Sequence, residues 1–227
     1  MVQKADEKPD YHREAAFDGT GYVIGVDEAG RGPWAGPVCA AAFWVHPRHI
    51  KALPAALTDS KKLTARKRAA IETDLTSSHH LYQAAFRSAA DIDEGGLLPA
   101  TFAAMAEAVC DVADRLLSTD PLGWGRIAMI LVDGNLLPPL PYPAEAIIKG
   151  DSRSLSIAAA SIIAKETRDR EMARLHAAHP YYGWDSNQGY GTKAHQAGIG
   201  SHGITPHHRR SFAPIKAYLD AAHAGEA

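Results

Sequence analysis

The apolar positions of this chain fall into short blocks separated by Gly- and Pro-rich breaks. Tyr22–Asp27 and Pro37–Val45 are apolar and rich in β-branched or aromatic residues, the pattern of buried strands. The Gly-rich segment Ala29–Gly36 joins them. Leu81–Arg87 predicts a third strand. Ile127–Val132 is a continuous apolar run ended by Asp133-Gly134-Asn135, a fourth strand entering a turn. Glu145–Lys149 predicts a short fifth.

Helical spacing fills the intervals. Thr64–Leu75 begins with Thr64 as a candidate N-cap, and Thr101–Leu117 places Met105, Val109, Val112 and Leu116 at helical intervals. Ser154–Ala178 is the longest predicted helix. Its first half is small and apolar; its second half is charged, with Lys165–Asp169 and Glu166–Arg170 spaced as i,i+4 ion pairs. These elements predict an α/β fold: a mixed five-stranded sheet flanked by helices, with a helical C-terminal segment. Residues 1–20 and the final Ala-Gly-Glu-Ala read as flexible tails, 21–180 as the main domain and 181–227 as the C-terminal segment.

Composition narrows the class. At 227 residues, 46% hydrophobic and 22% charged, the chain has the make-up of a globular domain with a full core. Its longest apolar run, Val38 to Val45, is far short of the ~20 residues a membrane span needs. The charged N-terminus has no signal-peptide pattern, and Cys39 and Cys110 read as buried thiols in a reducing cytoplasm. Nothing resembles a heptad run, so a monomer is the expectation. The net charge of −2 does not by itself suggest a nucleic acid, but Lys61, Lys62, Arg66, Lys67 and Arg68 form a local cationic stretch. Such a stretch can hold phosphates, and it can equally be a solvated helix face.

Carboxylates gather at predicted element ends: Asp27 and Glu28, Asp133, and Asp151. Clustered carboxylates suit hard cations such as Mg²⁺, and paired ions can assist phosphodiester cleavage. Each acid also has a plain structural reading. Asp27-Glu28 can be a solvated strand end, Asp133-Gly134 a hairpin turn, and Asp151 a helix cap. The turn Gly30-Arg31-Gly32-Pro33-Trp34-Ala35-Gly36 has neither dinucleotide-binding nor Walker spacing; its backbone can approach a ligand such as a ribose 2′-OH, or simply connect two strands. Tyr190 lies between Gly189 and Gly191 and can stack on a sugar or base, or pack on the domain. His207-His208-Arg209-Arg210 reads as a surface segment.

Together these residues carry a specific resemblance. Tyr22 to Val38 (Tyr-Val-Ile-Gly-Val-Asp-Glu-Ala-Gly-Arg-Gly-Pro-Trp-Ala-Gly-Pro-Val) closely resembles the opening motif of bacterial ribonuclease HII. Asp59-Ser60-Lys61-Lys62-Leu63, Leu131 to Asn135, Lys149-Gly150-Asp151, Ile157 to Arg170, Gly189 to Thr192 and His208 to Phe212 follow in that family's order. The resemblance implies a ribonuclease H-like fold and a metal-dependent endoribonuclease. It would cleave RNA in RNA–DNA hybrids and incise 5′ of single ribonucleotides in duplex DNA, leaving 3′-hydroxyl and 5′-phosphate ends. It further implies that Asp27, Glu28, Asp133 and Asp151 bind Mg²⁺ or Mn²⁺, and that Gly30, Arg31 and Gly32 sense the 2′-OH. Lys61 would contact the backbone and Tyr190 would stack beside the junction. Two stretches depart from the family pattern: Asn187-Gln188 replaces a frequent His-Lys, and Gly95-Gly96 follows Ile92-Asp93-Glu94 where the family often has an Asn. Two alternatives are another metal nuclease or a strand-transfer enzyme on the same fold, which would cut pure DNA, and a non-catalytic hybrid-binding module, which would bind regardless of chelator.

Overall fold

The computed structural model describes residues 8–77 and 79–225. Five strands form one sheet: β1 (Tyr22–Ala29), β2 (Val38–Trp44), β3 (Leu81–Arg87), β4 (Ile127–Asp133) and β5 (Ala144–Ile147), in the order β3-β2-β1-β4-β5. β1 is antiparallel to β2 and parallel to β4, so the predicted mixed sheet is present. β4 and β5 are also parallel.

The pleat divides the apolar residues between two layers. Tyr22, Ile24 and Val26 of β1, with Ile130 and Val132 of β4, pack against Met105, Val109, Val112 and Leu116. Those four lie on α4 (Leu97–Thr119), longer than the predicted helix by a turn at its start. Gly96, at φ 88°, separates α4 from α3 (Ala89–Gly95), so the Gly95-Gly96 departure falls at a helix–helix break. The other face carries Ala41 and Phe43 against α2 (Ala65–Thr76) and α5 (Leu155–Ala178). Thr64 and Ser154 cap α2 and α5 by accepting from Lys67 and Ile157 N–H.

α5 crosses β1 at Gly25, where any side chain would strike the backbone of Ser156 and Ile157. This close approach brings the turn before α5 to the C-terminal edge of β1. The exposed half of α5 pairs differently from expectation. Lys165–Asp169 forms at 2.6 Å, but Glu166 binds Arg68 at 2.6 Å and Arg170 binds Glu72 at 2.6 Å. α2 lies close enough to offer better-placed partners than the i,i+4 neighbour.

The N-terminal stretch read as a tail is anchored from Asp10 onward; residues 1–7 lie outside the described residues. A short helix α1 (His12–Ala15) places Glu14 in the interior. Its Oε1 accepts from Ser154 Oγ (2.6 Å), Ser156 Oγ (2.6 Å) and Ser156 N–H (2.9 Å). C-terminal to α5, α6 (Trp184–Asn187), α7 (Lys193–His202) and α8 (Ala213–Gly225) pack around Met172, Leu175, Tyr182, Trp184, Ile199 and Ile215. α8 runs through Gly225, so the expected C-terminal tail is helical over its first half. Among the described residues no helix is long and apolar enough to cross a membrane. Cys39 is buried and Cys110, read as buried, is only partly so; both thiols are free.

Candidate active site

Parallel pairing explains why two acids meet. Val26 of β1 lies opposite Val132 of β4, so the next residues, Asp27 and Asp133, leave adjacent strands at the same edge. Asp151 arrives from a 3-10 turn, Gly150–Ser152, between β5 and α5. Gly150 N–H donates to Asp133 Oδ1 at 2.6 Å and holds that turn against the strand end. Asp151 does not cap α5; Ser154 does. One carboxylate oxygen from each of Asp27, Asp133 and Asp151 lies within 4.8 Å of the others. Asp27 and Asp151 are buried.

Glu28 is not part of this tight group. It follows Asp27 on the strand, where alternation directs successive side chains apart, and its Oε1 meets Arg31 Nη1 at 3.4 Å. It remains close enough for the Asp133 charge to act on it.

The electrostatics are those of crowded acids. Burial, reinforced by Glu28 and Asp133, pushes the Asp27 carboxyl well above its ordinary value. Burial, with Asp59 and Asp133, pushes Asp151 up to about 6. Burial also raises Glu28, against the opposing pull of Arg31. Burial disfavours charge on Lys61, yet Asp27, Asp59, Asp151 and Asp133 hold its ammonium above the usual lysine value. An all-oxygen donor set under mutual repulsion fits a hard divalent cation, which would relieve the crowding.

A cleft of about 310 Å³ adjoins the acids, lined by Glu28, Gly30, Arg31, Gly32, Lys61 and Tyr190 among others. The substrate-contact residues expected from sequence therefore face one cavity. Tyr190 is half exposed, and its ring edge approaches Gly32: a methyl there would stand 3.3 Å from Cε1.

Two buried arginines shape this cleft, and neither has a site role in the sequence reading. Arg168 of α5 donates to the carbonyls of Pro37 (2.9 Å), Ala35 (3.3 Å) and Gln188 (3.1 Å). Arg209 donates to Gly36 (3.0 Å), Arg31 (2.9 Å) and Gly30 (2.6 Å). Gly30 stands at φ 93°, and a side chain there would collide with the Arg168 guanidinium. The expectation of a surface segment at 207–210 fails for His208 and Arg209, which are 1% and 0% exposed. An isolated bridge between Ala35 and His208 draws them inward. Burial lowers both arginines, Arg209 to about 9 with Arg168 adding repulsion. Their positive charge is matched by backbone carbonyl dipoles.

Asn187 and Gln188 serve the turn before Tyr190. Asn187 Nδ2 donates to Tyr182 O at 2.6 Å, its Oδ1 accepts from Gly189 N–H at 2.9 Å, and Gln188 supplies the carbonyl that Arg168 binds. Asp59 is a further neighbour of the acids, beyond those expected from sequence. It caps the turn Ser60–Lys62 and repels Asp151. Its motif position beside Lys61 was the available signal.

The chain matches the Ribonuclease HII family profile over residues 24–215. It is 45% identical to the ribonuclease HII of Magnetococcus marinus, covering 96% of this chain and 99% of that protein. It is 47% identical to that of Gluconobacter oxydans, covering 95% and 99%. The crystal structure of ribonuclease H2 from Pyrococcus horikoshii superposes with TM-score 0.68 at 26% identity, covering 89% of this chain and 99% of that one. Bst-RNase HIII in complex with Mn²⁺ shares the fold, with TM-score 0.71 at 20% identity, 98% and 76% covered. With most of its length matched at this identity, the chain belongs to the ribonuclease HII family of metal-dependent endoribonucleases acting on RNA–DNA hybrids.

Proposed function

We propose that this enzyme incises on the 5′ side of a ribonucleotide, including a single one embedded in duplex DNA, and leaves 3′-hydroxyl and 5′-phosphate ends. The observation that carries the reading is the convergence of Asp27, Asp133 and Asp151 beside a cleft lined by Gly30–Gly32, Lys61 and Tyr190. Asp27, Asp133 and Asp151, with Glu28 alongside, would hold Mg²⁺ or Mn²⁺. When bound, such ions stabilise charge on the attacking and leaving oxygens of a phosphodiester.

The protein's own groups supply recognition. Arg168 and Arg209 occupy six carbonyls around the glycine turn, which keeps its remaining backbone groups in one fixed arrangement facing the cleft. A rigid turn of this kind suits reading of a 2′-OH, the feature that separates ribose from deoxyribose. Tyr190 would pack its ring on the neighbouring sugar, and Lys61, held protonated by the surrounding acids, would contact a phosphate. Selectivity then follows sugar identity and not base sequence. Two unpaired cysteines suit a cytoplasmic setting, and a monomer accounts for every residue of the site.

The test is a gel assay on a DNA duplex holding one ribonucleotide, on the same duplex without it, and on a long hybrid, each with and without EDTA. We expect one cut 5′ of the ribonucleotide, whose 3′-hydroxyl and 5′-phosphate ends a DNA ligase reseals directly, and none with EDTA. Cleavage of the all-DNA duplex would overturn the assignment.

A further inference from the structure

Behind Tyr190 lies a buried histidine pair that the chemistry above does not use. His195 and His208 are 0% and 1% exposed. Their hydrogen bonds run in one direction. Thr205 N–H donates to His208 Nδ1 at 2.9 Å, so that nitrogen is unprotonated and the proton sits on Nε2. His208 Nε2 lies 3.1 Å from His195 Nε2. Trp184 Nε1–H donates to the same His195 nitrogen at 3.2 Å. An indole N–H can only donate, so His195 Nε2 is an acceptor and Nδ1 carries the proton. That proton meets the Tyr190 carbonyl, 3.0 Å away.

A second proton on the His195 ring would set N–H against N–H at Nε2, which locks the neutral form. Burial lowers the pKa of both rings, consistent with that arrangement. The same chain of contacts reaches the glycine turn. Gly36 N–H binds His207 O at 2.8 Å, Arg209 N–H binds Trp34 O at 2.8 Å, and Trp34 N–H binds Gly189 O at 2.8 Å.

We propose that His195 is a positioning residue for Tyr190: with Nε2 held by His208 and Trp184, its Nδ1–H fixes the Tyr190 carbonyl and so sets the exposed ring against Gly32 before substrate arrives. The inference rests on the substrate-stacking role given to Tyr190 above.

Steady-state kinetics on the single-ribonucleotide duplex test it, using His195→Leu, His195→Asn, Tyr190→Ala and the double variant Tyr190→Ala/His195→Leu. The Asn amide nitrogen takes the place of Nδ1. His195→Leu should lose roughly tenfold in kcat/KM, chiefly through KM, as loss of one stacking contact would. His195→Asn should recover most of it, and the double variant should match Tyr190→Ala. If Tyr190→Ala is unimpaired, the stacking role fails and this inference with it. If Tyr190→Ala is impaired while His195→Leu matches the native enzyme, or the double variant is clearly worse than Tyr190→Ala, only the inference fails. Should His195→Leu not fold, ¹⁵N NMR of the native protein decides: His195 protonated on Nδ1 and His208 on Nε2 is expected, and His195 protonated on Nε2 overturns the proposal.

Discussion

Carboxylates that repel one another are stable in a fold only when something offsets the repulsion, and here Asp27, Asp133 and Asp151 sit within 4.8 Å with two of them buried. Asp133→Asn removes one charge and one ligand while keeping the Oδ1 that accepts from Gly150 N–H. Turnover should fall by roughly a hundredfold or more, while hybrid affinity measured in Ca²⁺ or EDTA stays near the native value; retained turnover would remove Asp133 from the site. Gly30→Ala tests the turn. At φ 93° and against Arg168, the methyl should cost about 1–3 kcal/mol in denaturant unfolding and impair cleavage. An unchanged midpoint would show that the turn relaxes freely. The acids were legible in the sequence because each follows a recognisable strand end or precedes a helix. Arg168 and Arg209 were not, since a charged residue in an amphipathic helix and one in a His-Arg-Arg run look like surface groups. What buries them is a set of carbonyls, five of the six from a segment more than a hundred positions away and the sixth from Gln188.

Among the elements, α5 does most to assemble the site. Its capped start packs on Gly25, its middle supplies Arg168, and its charged end binds α2. Hydropathy gave its length and its two-part character correctly, because burial of an entire first half needs small apolar residues whatever the partner. The ion pairs were only half legible: spacing on one helix shows who can meet, but α2 intervenes and takes Glu166 and Arg170. The role of α1 was also hidden. A charged N-terminal stretch carries no periodic signal, yet Glu14 gathers three donors at the head of α5. Glu14→Ala leaves those donors without their acceptor and should lower stability by about 1–3 kcal/mol. Because Asp151 lies one turn upstream, divalent-ion affinity by calorimetry should weaken as well. Native stability in that variant would mean water substitutes fully for the carboxylate.

Across the whole molecule, buried histidines at opposite ends of the sheet set a pH dependence. Burial lowers His80 to about 4 and His208 to about 3, whereas an unfolded histidine titrates near 6.5. Above about 6.5 neither state binds the proton and the contribution is complete. As pH falls below that, the unfolded chain takes up protons that the folded one refuses, and stability declines by about 1.4 kcal/mol per pH unit for each histidine. The raised carboxyls of Asp27 and Asp151 act in the opposite sense, since the folded state accepts their protons first. The measurement is therefore a difference: between pH 6.5 and 5, urea-unfolding free energy of His208→Gln should change less steeply than that of the native chain by about 1 kcal/mol per unit. Parallel slopes would show that His208 is protonated in the folded state.

The sequence by itself determined the five strands and the three main helices and which acids sit at element ends, because hydropathic period and turn chemistry act over a few neighbouring residues. It also carried the family motifs. Only the tertiary structure decided that Asp27, Asp133 and Asp151 share one point while Glu28 stands just outside it beside Arg31, and that Arg168, His208 and Arg209 lie inside. Those outcomes depend on strand order, on β1 and β4 running parallel, and on α5 crossing at Gly25. They are set by contacts between segments far apart in the chain, for which no local pattern exists.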